Sequence, residues 1–346
     1  MLDTITIPMP DDWHCHLRDG TYLVTTVAHS AAVFTRTIVM PNTLPAITSI
    51  PQAEAYYQRI IQCIPSNNPF TPLMTLYLTD TMSVETIQAA AKHANIFACK
   101  LYPAGATTNS KAGITSIENL YPIFDAMQNV DLPLLIHGEV TDCNIDIFDR
   151  ESIFIDRHLQ DIIKEFPNLR IVLEHITSRD AVDFISQQAT NIAATITVHH
   201  LLINRNQLLA GGLKPDYYCL PIAKREQDKQ ALIAAVLNNN NRHFFLGTDS
   251  APHTQSAKYH PCGCAGIYTS PVAIQLLTEL FVNHNAVNQL INFTSQNGAN
   301  FYQLPINARQ LTLERKPWTV PDRFIFGSEY VTPFYAGQRI QWQIKH

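Results

Sequence analysis

Eight short apolar runs recur along this chain, and most of the stretches between them repeat with helical spacing. The runs are WHCHL (13–17), TIVM (37–40), LMTLYLT (73–79), FACKLY (97–102), LPLLIHG (132–138), RIVLEH (170–175), AATIT (193–197) and HFFLGTD (243–249). Segments 52–62, 83–93, 116–128, 152–165, 179–189 and 224–237 carry the helical period. Near-continuous apolar strands alternating with helices imply parallel strands covered on both faces. Eight such units predict an α/β fold, a (β/α)8 TIM barrel, which takes ~250 residues. The chain has 346 residues. The surplus is expected in long loops, in a helix over 270–283 with Ser270 as N-cap and Pro271 at N1, and in a tail. That tail, RFIFGSEYVTPFYAGQRIQWQI, reads as short strands outside the barrel. No repeat, low-complexity segment or Pro/Gly/Ser hinge divides the chain. A single domain over 1–346 is therefore expected, with the barrel over about 10–302 and a C-terminal β extension over about 303–346.

Composition narrows the partners. A net charge of -5 with no basic cluster argues against nucleic acid. No apolar run reaches ~18 residues, so no membrane span is expected. Residues 1–13 carry neither a basic n-region nor an apolar h-region and are not expected to be a signal peptide. Seven scattered cysteines read as reduced thiols of a cytoplasmic protein. Only Cys262 and Cys264 are close, and a lone C-x-C reads as a loop of small residues.

Chemistry in such a barrel sits at the C-terminal ends of the strands. Those ends offer His14 and His16, Asn42, Lys100, His137, His175 and Asp249. Residues i and i+2 of a strand face the same way, so His14 and His16 aim two imidazoles into the barrel. Imidazole nitrogen with carboxylate oxygen suits zinc, and five or six such groups are enough for two ions. H-x-H alone is weak, because a single strand-end histidine is more often a hydrogen-bonded core residue. H-x-H with single histidines on the fifth and sixth strands and an aspartate on the eighth is strong, because the fold sets that spacing. Lys100 leaves three readings open: a structural lysine paired with a carboxylate, a Schiff-base lysine, or a lysine carbamate able to bridge two metals. His199 and His200 are expected at the surface or behind the site. His253 reads as a loop residue or a substrate contact.

The blocks DDWHCHLRDG, IVMPN, CKLYPAGATTNS, LLIHGEVTD, IDIFDRE, VLEHIT, CLPIAKR, LGTDSAPH and CGCAG together resemble the dihydroorotase family, in its short single-function bacterial type, within the amidohydrolase superfamily. The resemblance spans roughly residues 10 to 302. It implies reversible cyclisation of N-carbamoyl-L-aspartate to L-dihydroorotate, a step of pyrimidine synthesis, at a binuclear zinc site bridged by carbon dioxide held as the carbamate of Lys100. By the same resemblance, His14, His16, Lys100 and Asp249 hold one ion, Lys100 bridges, and His137 and His175 complete the second. Asp249 is implied as the catalytic acid/base. Arg18, Asn42 and His253 are implied to hold the substrate's free carboxylate, and Leu220 and Ala265 to touch its ring through their backbones. Thr107 and Thr108 are implied to close over it from a mobile loop, with His16 and His137 also in contact. A homodimer acting on a small-molecule substrate is implied too. The rivals are another cyclic amidase such as a hydantoinase or allantoinase, a metal-free scaffold barrel, and a Schiff-base aldolase. Only the first shares the metals, and it does not need the Arg18–Asn42–His253 clamp.

Overall fold

The computed structural model describes residues 3–345; residues 1, 2 and 346, which the single-domain reading includes, lie outside them. Eight parallel strands follow one another in chain order around one sheet: β2 (Asp12–Cys15), β3 (Arg36–Val39), β4 (Thr71–Tyr77), β5 (Ile96–Leu101), β6 (Leu134–Ile136), β7 (Ile171–Leu173), β8 (Ile192–Ile196) and β9 (Phe244–Leu246). The first and last meet just past their ends. Asp249 N–H donates to His14 O at 2.9 Å and His16 N–H to Ser250 O at 3.1 Å. The barrel is thus closed by the backbone of the same residues that were singled out for chemistry.

Helices cover the strands in turn: Leu23–Ala31, Ile50–Ile61, Val84–Ala90, Tyr121–Asn129, a run from Arg150 to Glu165 with a wider turn at Ile155–Leu159, Arg179–Ile185, Glu226–Leu237 and Ala273–Asn283. Local chemistry starts several of them. Ser83 and Ser178 accept from Thr86 N–H and Ala181 N–H as N-caps. Leu23–Ala31 is a helix that the expected helical segments left out; Val24, Thr25, Thr26 and Val27 are β-branched and weak helix formers, although its buried residues Leu23, Thr26, Val27, Ser30 and Ala31 follow the helical spacing. The last helix also departs from expectation. It begins at Ala273, capped by Val272, and not at Ser270–Pro271. The N–H groups of Thr269 and Ser270 instead donate to Ser250 Oγ at 3.1 and 3.0 Å, and Val272 N–H donates to Thr269 O at 3.0 Å, so Ser270 and Pro271 lie in a turn that precedes the helix.

Two layers of core result. Side chains between sheet and helices form the larger one. Inside the barrel Trp13, Ile38, Leu73, Ala98, Leu135, Val172, Ala193 and Phe245 pack together. Trp13 stacks on Tyr302 at 4.7 Å, which plugs the end opposite the site. Simple alternation would turn Trp13 outward if His14 faces inward. The register of β2 on β3 slips between Asp12 and Cys15, three residues passing two, so both side chains reach the interior.

The tail does form strands outside the barrel, but not alone. β10 (Gln310–Thr319) pairs antiparallel with both β13 (Arg339–Ile344) and an N-terminal strand, β1 (Thr4–Pro8). β11 (Phe324–Phe326) and β12 (Glu329–Val331) make a hairpin. The extension is therefore built from both ends of the chain. Among the described residues no helix is long and apolar enough to cross a membrane.

Candidate active site

The strand ends converge. His14 Nε2, His16 Nε2 and an oxygen of Asp249 lie within 4.8 Å of one another. Asp249 Oδ1 is 3.0 Å from His16 Nε2 and 3.4 Å from His14 Nε2. The outer nitrogen of each ring is held: His14 Nδ1 pairs with Glu174 Oε2 at 2.8 Å, and His16 Nδ1 donates to Asn42 Oδ1 at 2.8 Å. Across the mouth, His137 Nε2 pairs with Glu139 Oε2 at 2.8 Å, leaving Nδ1 as its other donor atom. The His175 ring sits 4.8 Å from that of His137 and 5.0 Å from that of His14. His175 and Asp249 both have φ near 43°, a left-handed backbone that carries their side chains over the rim just beyond the ladder. Gly247 lets β9 approach, since a Cβ there would stand 2.8 Å from His14 Cβ and Thr195 Cβ.

Lys100 lies at the floor of this cluster. It is fully buried, and its Nζ has no hydrogen-bond partner. A buried unpaired ammonium is costly, so this atom asks for another partner or another chemical form. A structural ion pair, one of the readings left open by the sequence, is absent among the described residues. The nitrogen and oxygen donors around it suit a zinc-class ion.

On the loop side, Arg18 also has a left-handed backbone, φ 62°. Its Nε donates to Pro252 O at 2.8 Å and its Nη2 to His253 Nε2 at 2.9 Å. Asn42 Nδ2 donates to Thr108 O at 3.1 Å, and Asn109 Nδ2 to Asn42 O at 3.0 Å, so the loop after β5 lies folded over the centre. Beneath it is an inner cavity of about 20 Å³ lined by the four histidines and Asp249 together with Arg18, Asn42, Thr107, Thr108, Leu220 and Ala265. Outside it is a cleft of about 370 Å³, which His16, Arg18, Asn42, Thr108 and His253 border. An inner volume of that size holds about one water. A ring-sized ligand therefore requires this loop to move.

A model of the amidohydrolase family matches residues 11–320. The dihydroorotase of Coxiella burnetii is 54% identical over 341 residues, covering 99% of this chain and 98% of its own. The chain belongs to the dihydroorotases of the amidohydrolase family. A crystal structure of the Campylobacter jejuni dihydroorotase superposes with a TM-score of 0.92 at 36% identity, over 100% of this chain and 99% of that one. The L-hydantoinase of Arthrobacter aurescens shares the fold, with a TM-score of 0.79 over 99% of this chain and 83% of its own, but only 15% of its sequence. The nearest rival reading thus stands much further off than the dihydroorotases.

Within this dihydroorotase site, electrostatics follow from burial. Burial pushes the Lys100 amine down to about 8, against the pull of the Glu174 and Asp249 carboxylates. Burial likewise pushes the His16 ring down to about 4, so it is neutral and keeps a lone pair at neutral pH. Burial works against the Asp249 carboxylate, yet the His14 and His16 side chains beside it outweigh that and hold its pKa well below the usual range.

Several residues of this dihydroorotase escaped sequence reasoning. Glu174 accepts from His14 and, at 2.6 Å, from Thr195 Oγ1; Glu139 fixes His137. Glu174 was legible in principle, two residues after the inward-facing Val172. The acidic pair before the H-x-H motif braces the barrel. Asp11 takes Arg36 Nε and Nη2 at 2.9 and 2.5 Å, while Asp12 accepts from Thr248 N–H and Oγ1 at 2.8 and 2.7 Å. Of the two places expected for His199 and His200, the surface is ruled out: both are buried in the short helix Val198–Leu202 that follows β8. Cys15 points away from the centre, toward Ser30, as its position between the two histidines implies.

Proposed function

We propose that this dihydroorotase interconverts N-carbamoyl-L-aspartate and L-dihydroorotate, in pyrimidine synthesis, at two zinc ions bridged by carboxylated Lys100. One observation carries the reading. A converging imidazole–carboxylate set lines one small cavity with Arg18, and a buried, unpartnered lysine lies within electrostatic reach of Asp249, Glu174 and His175. His14, His16, Lys100 and Asp249 would hold one ion, and Lys100, His137 and His175 the other.

Lys100 becomes a ligand by adding carbon dioxide: the ammonium first loses one proton, the neutral amine then forms an N–C bond and releases a second proton, and the side chain changes from a cation to an anion with two oxygens. Its lowered pKa enlarges the neutral, nucleophilic fraction of the amine. Two zinc ions, when bound, supply Lewis acidity that acidifies a water and polarises the ring carbonyl. Asp249 takes the proton of the attacking water and delivers it to the departing ring nitrogen as the C–N bond breaks. Ring closure runs the same transfers backwards and releases water. Arg18 holds the free carboxylate through its planar fork, with Asn42 and His253 beside it. Leu220 and Ala265 meet the ring through their backbones, His16 and His137 border it, and Thr107 and Thr108 close the cavity against solvent.

A hydantoinase or allantoinase has no need of the carboxylate clamp. Metal-analysed protein assayed side by side on dihydroorotate, hydantoin and allantoin is expected to turn over the first alone; comparable turnover of the others would remove the reading. Carbamoyl aspartate carries one more negative charge than dihydroorotate, so closure consumes a proton. The equilibrium ratio should move toward the ring by about tenfold per pH unit as pH falls. We also infer a homodimer acting in the cytoplasm, supported by the family and by seven free cysteines. Light scattering at the monomer's mass would remove the dimer.

A further inference from the structure

A second cluster of metal-binding side chains lies outside the residues assigned above. One nitrogen of His199, one of His200 and the Cys219 sulfur lie within 4.8 Å of one another, and all three residues are buried. Cys219 Sγ is 3.5 Å from His200 Nε2, a spacing compatible with two ligands of one tetrahedral ion. His199 supplies an independent sign. Both of its ring nitrogens are buried with no hydrogen-bond partner, and among the described residues no other histidine has both in that state. A neutral imidazole always carries one N–H donor and one acceptor. Leaving both unmet in the core is unfavourable unless something else takes the lone pair.

The surroundings permit a cation. His200 Nδ1 lies 2.9 Å from Thr197 Oγ1, and its Nε2 donates to Pro221 O at 3.0 Å. Moving the ring proton from Nε2 to Nδ1 frees Nε2 for a metal, while the Thr197 hydroxyl accepts from Nδ1. The Pro221 carbonyl also lies 3.4 Å from Cys219 Sγ and offers a fourth, oxygen donor. Two lysines stand nearby, and each is already engaged by carbonyls. Lys224 Nζ donates to Ile222 O, and Lys258 Nζ to the carbonyls of Tyr218, Cys264 and Gly266. The Cys219 thiol loses its proton as the ion enters, so one charge of the ion is neutralised at once.

We propose that His199, His200 and Cys219 form a second metal site, for a single thiophilic divalent ion of the zinc class. Its occupation would tether the backbone on both sides of Leu220, which lines the inner cavity. This proposal stands independently of the catalytic assignment, whose ligands contain no sulfur.

That difference supplies the test. Full-length protein is titrated with Cd2+ while the ultraviolet thiolate-to-metal absorption and the bound metal are measured. The expected result is a thiolate band that saturates at one ion. It should persist in the double variant Cys262→Ser/Cys264→Ser and vanish in Cys219→Ser and in His199→Gln, with one fewer ion bound. Circular dichroism checks that each variant is folded, and the two single variants serve as independent routes if one fails. A band that survives Cys219→Ser, a band lost only with Cys262 and Cys264, or no band at all would overturn the proposal.

Discussion

The two walls of the active site are built differently. On the strand side, His14, His137, His175, Lys100 and Asp249 are almost fully buried, and carboxylates pair with His14 and His137. On the loop side, Arg18 and His253 are only partly buried and border an open cleft of about 370 Å³. Arg18 is held by the Pro252 carbonyl and by His253, both loop residues, which shift when loops shift. A metal centre demands donor atoms placed to within fractions of an ångström, and packed strands supply that. Recognition of a substrate that must enter and leave suits loops. An inner cavity of about 20 Å³ shows how tightly the two walls meet when the loop lies over the site.

Substitutions on the two walls should therefore fail in different ways. The largest effect is expected for Asp249→Asn, which keeps an oxygen but cannot carry a proton: kcat should fall by about 10⁴-fold, with substrate binding largely retained. Stopped-flow binding beside steady-state turnover checks this, and substantial residual turnover would move the proton to another group. Lys100→Ala should lower turnover by about 10³-fold together with metal content, and small carboxylic acids should restore part of both. Mass spectrometry of native protein should find one added carbon dioxide, lost in acid. A bare Lys100 in active, metal-loaded protein would dismiss the carbamate.

Two subtler changes separate the walls most cleanly. Glu174→Gln leaves every direct donor in place but weakens the orientation of His14, so metal affinity should drop by about 10- to 100-fold in chelator competition. Arg18→Lys keeps the charge and loses the fork; kcat/KM should drop by about 10-fold with both metals bound, since a hydrogen bond to a charged group is worth ~1.5–3 kcal/mol. If Arg18→Lys sheds metal, or Glu174→Gln leaves metal affinity unchanged, the contrast between the walls fails. The smallest effect is expected for Thr108→Ala, whose hydroxyl reaches Ala265 O at 3.4 Å: a rise of about 3-fold in KM, with metal content unchanged.

Much of this was legible in the chain. The eight barrel strands stand where the apolar runs predicted them, because a short continuous apolar run is a local property of the chain. That His14, His16, His137, His175 and Asp249 would converge was legible by position alone, since the C-terminal ends of barrel strands share one mouth, and they do line one cavity. The first covering helix was missed, since its β-branched residues argue against a helix that its spacing allows. The start of the last helix was misplaced because Val272 N–H turns back to Thr269 O, so Ser270 and Pro271 lie in a turn ahead of a helix that begins at Ala273.

What the sequence determined by itself is periodic and local: strand count, strand order in a parallel barrel, and the residue types offered at each strand end. What the tertiary structure alone decided is the pairing of groups far apart in the chain. Glu174 meets His14 across 160 residues. β1 meets β10 across some three hundred, turning an apparent C-terminal extension into a sheet of both termini. His199, His200 and Cys219 come together inside from two separate segments of the chain. No period in the sequence encodes such meetings. They depend on which loops close and which side chains are left to fill the space, and only the packed chain sums those choices.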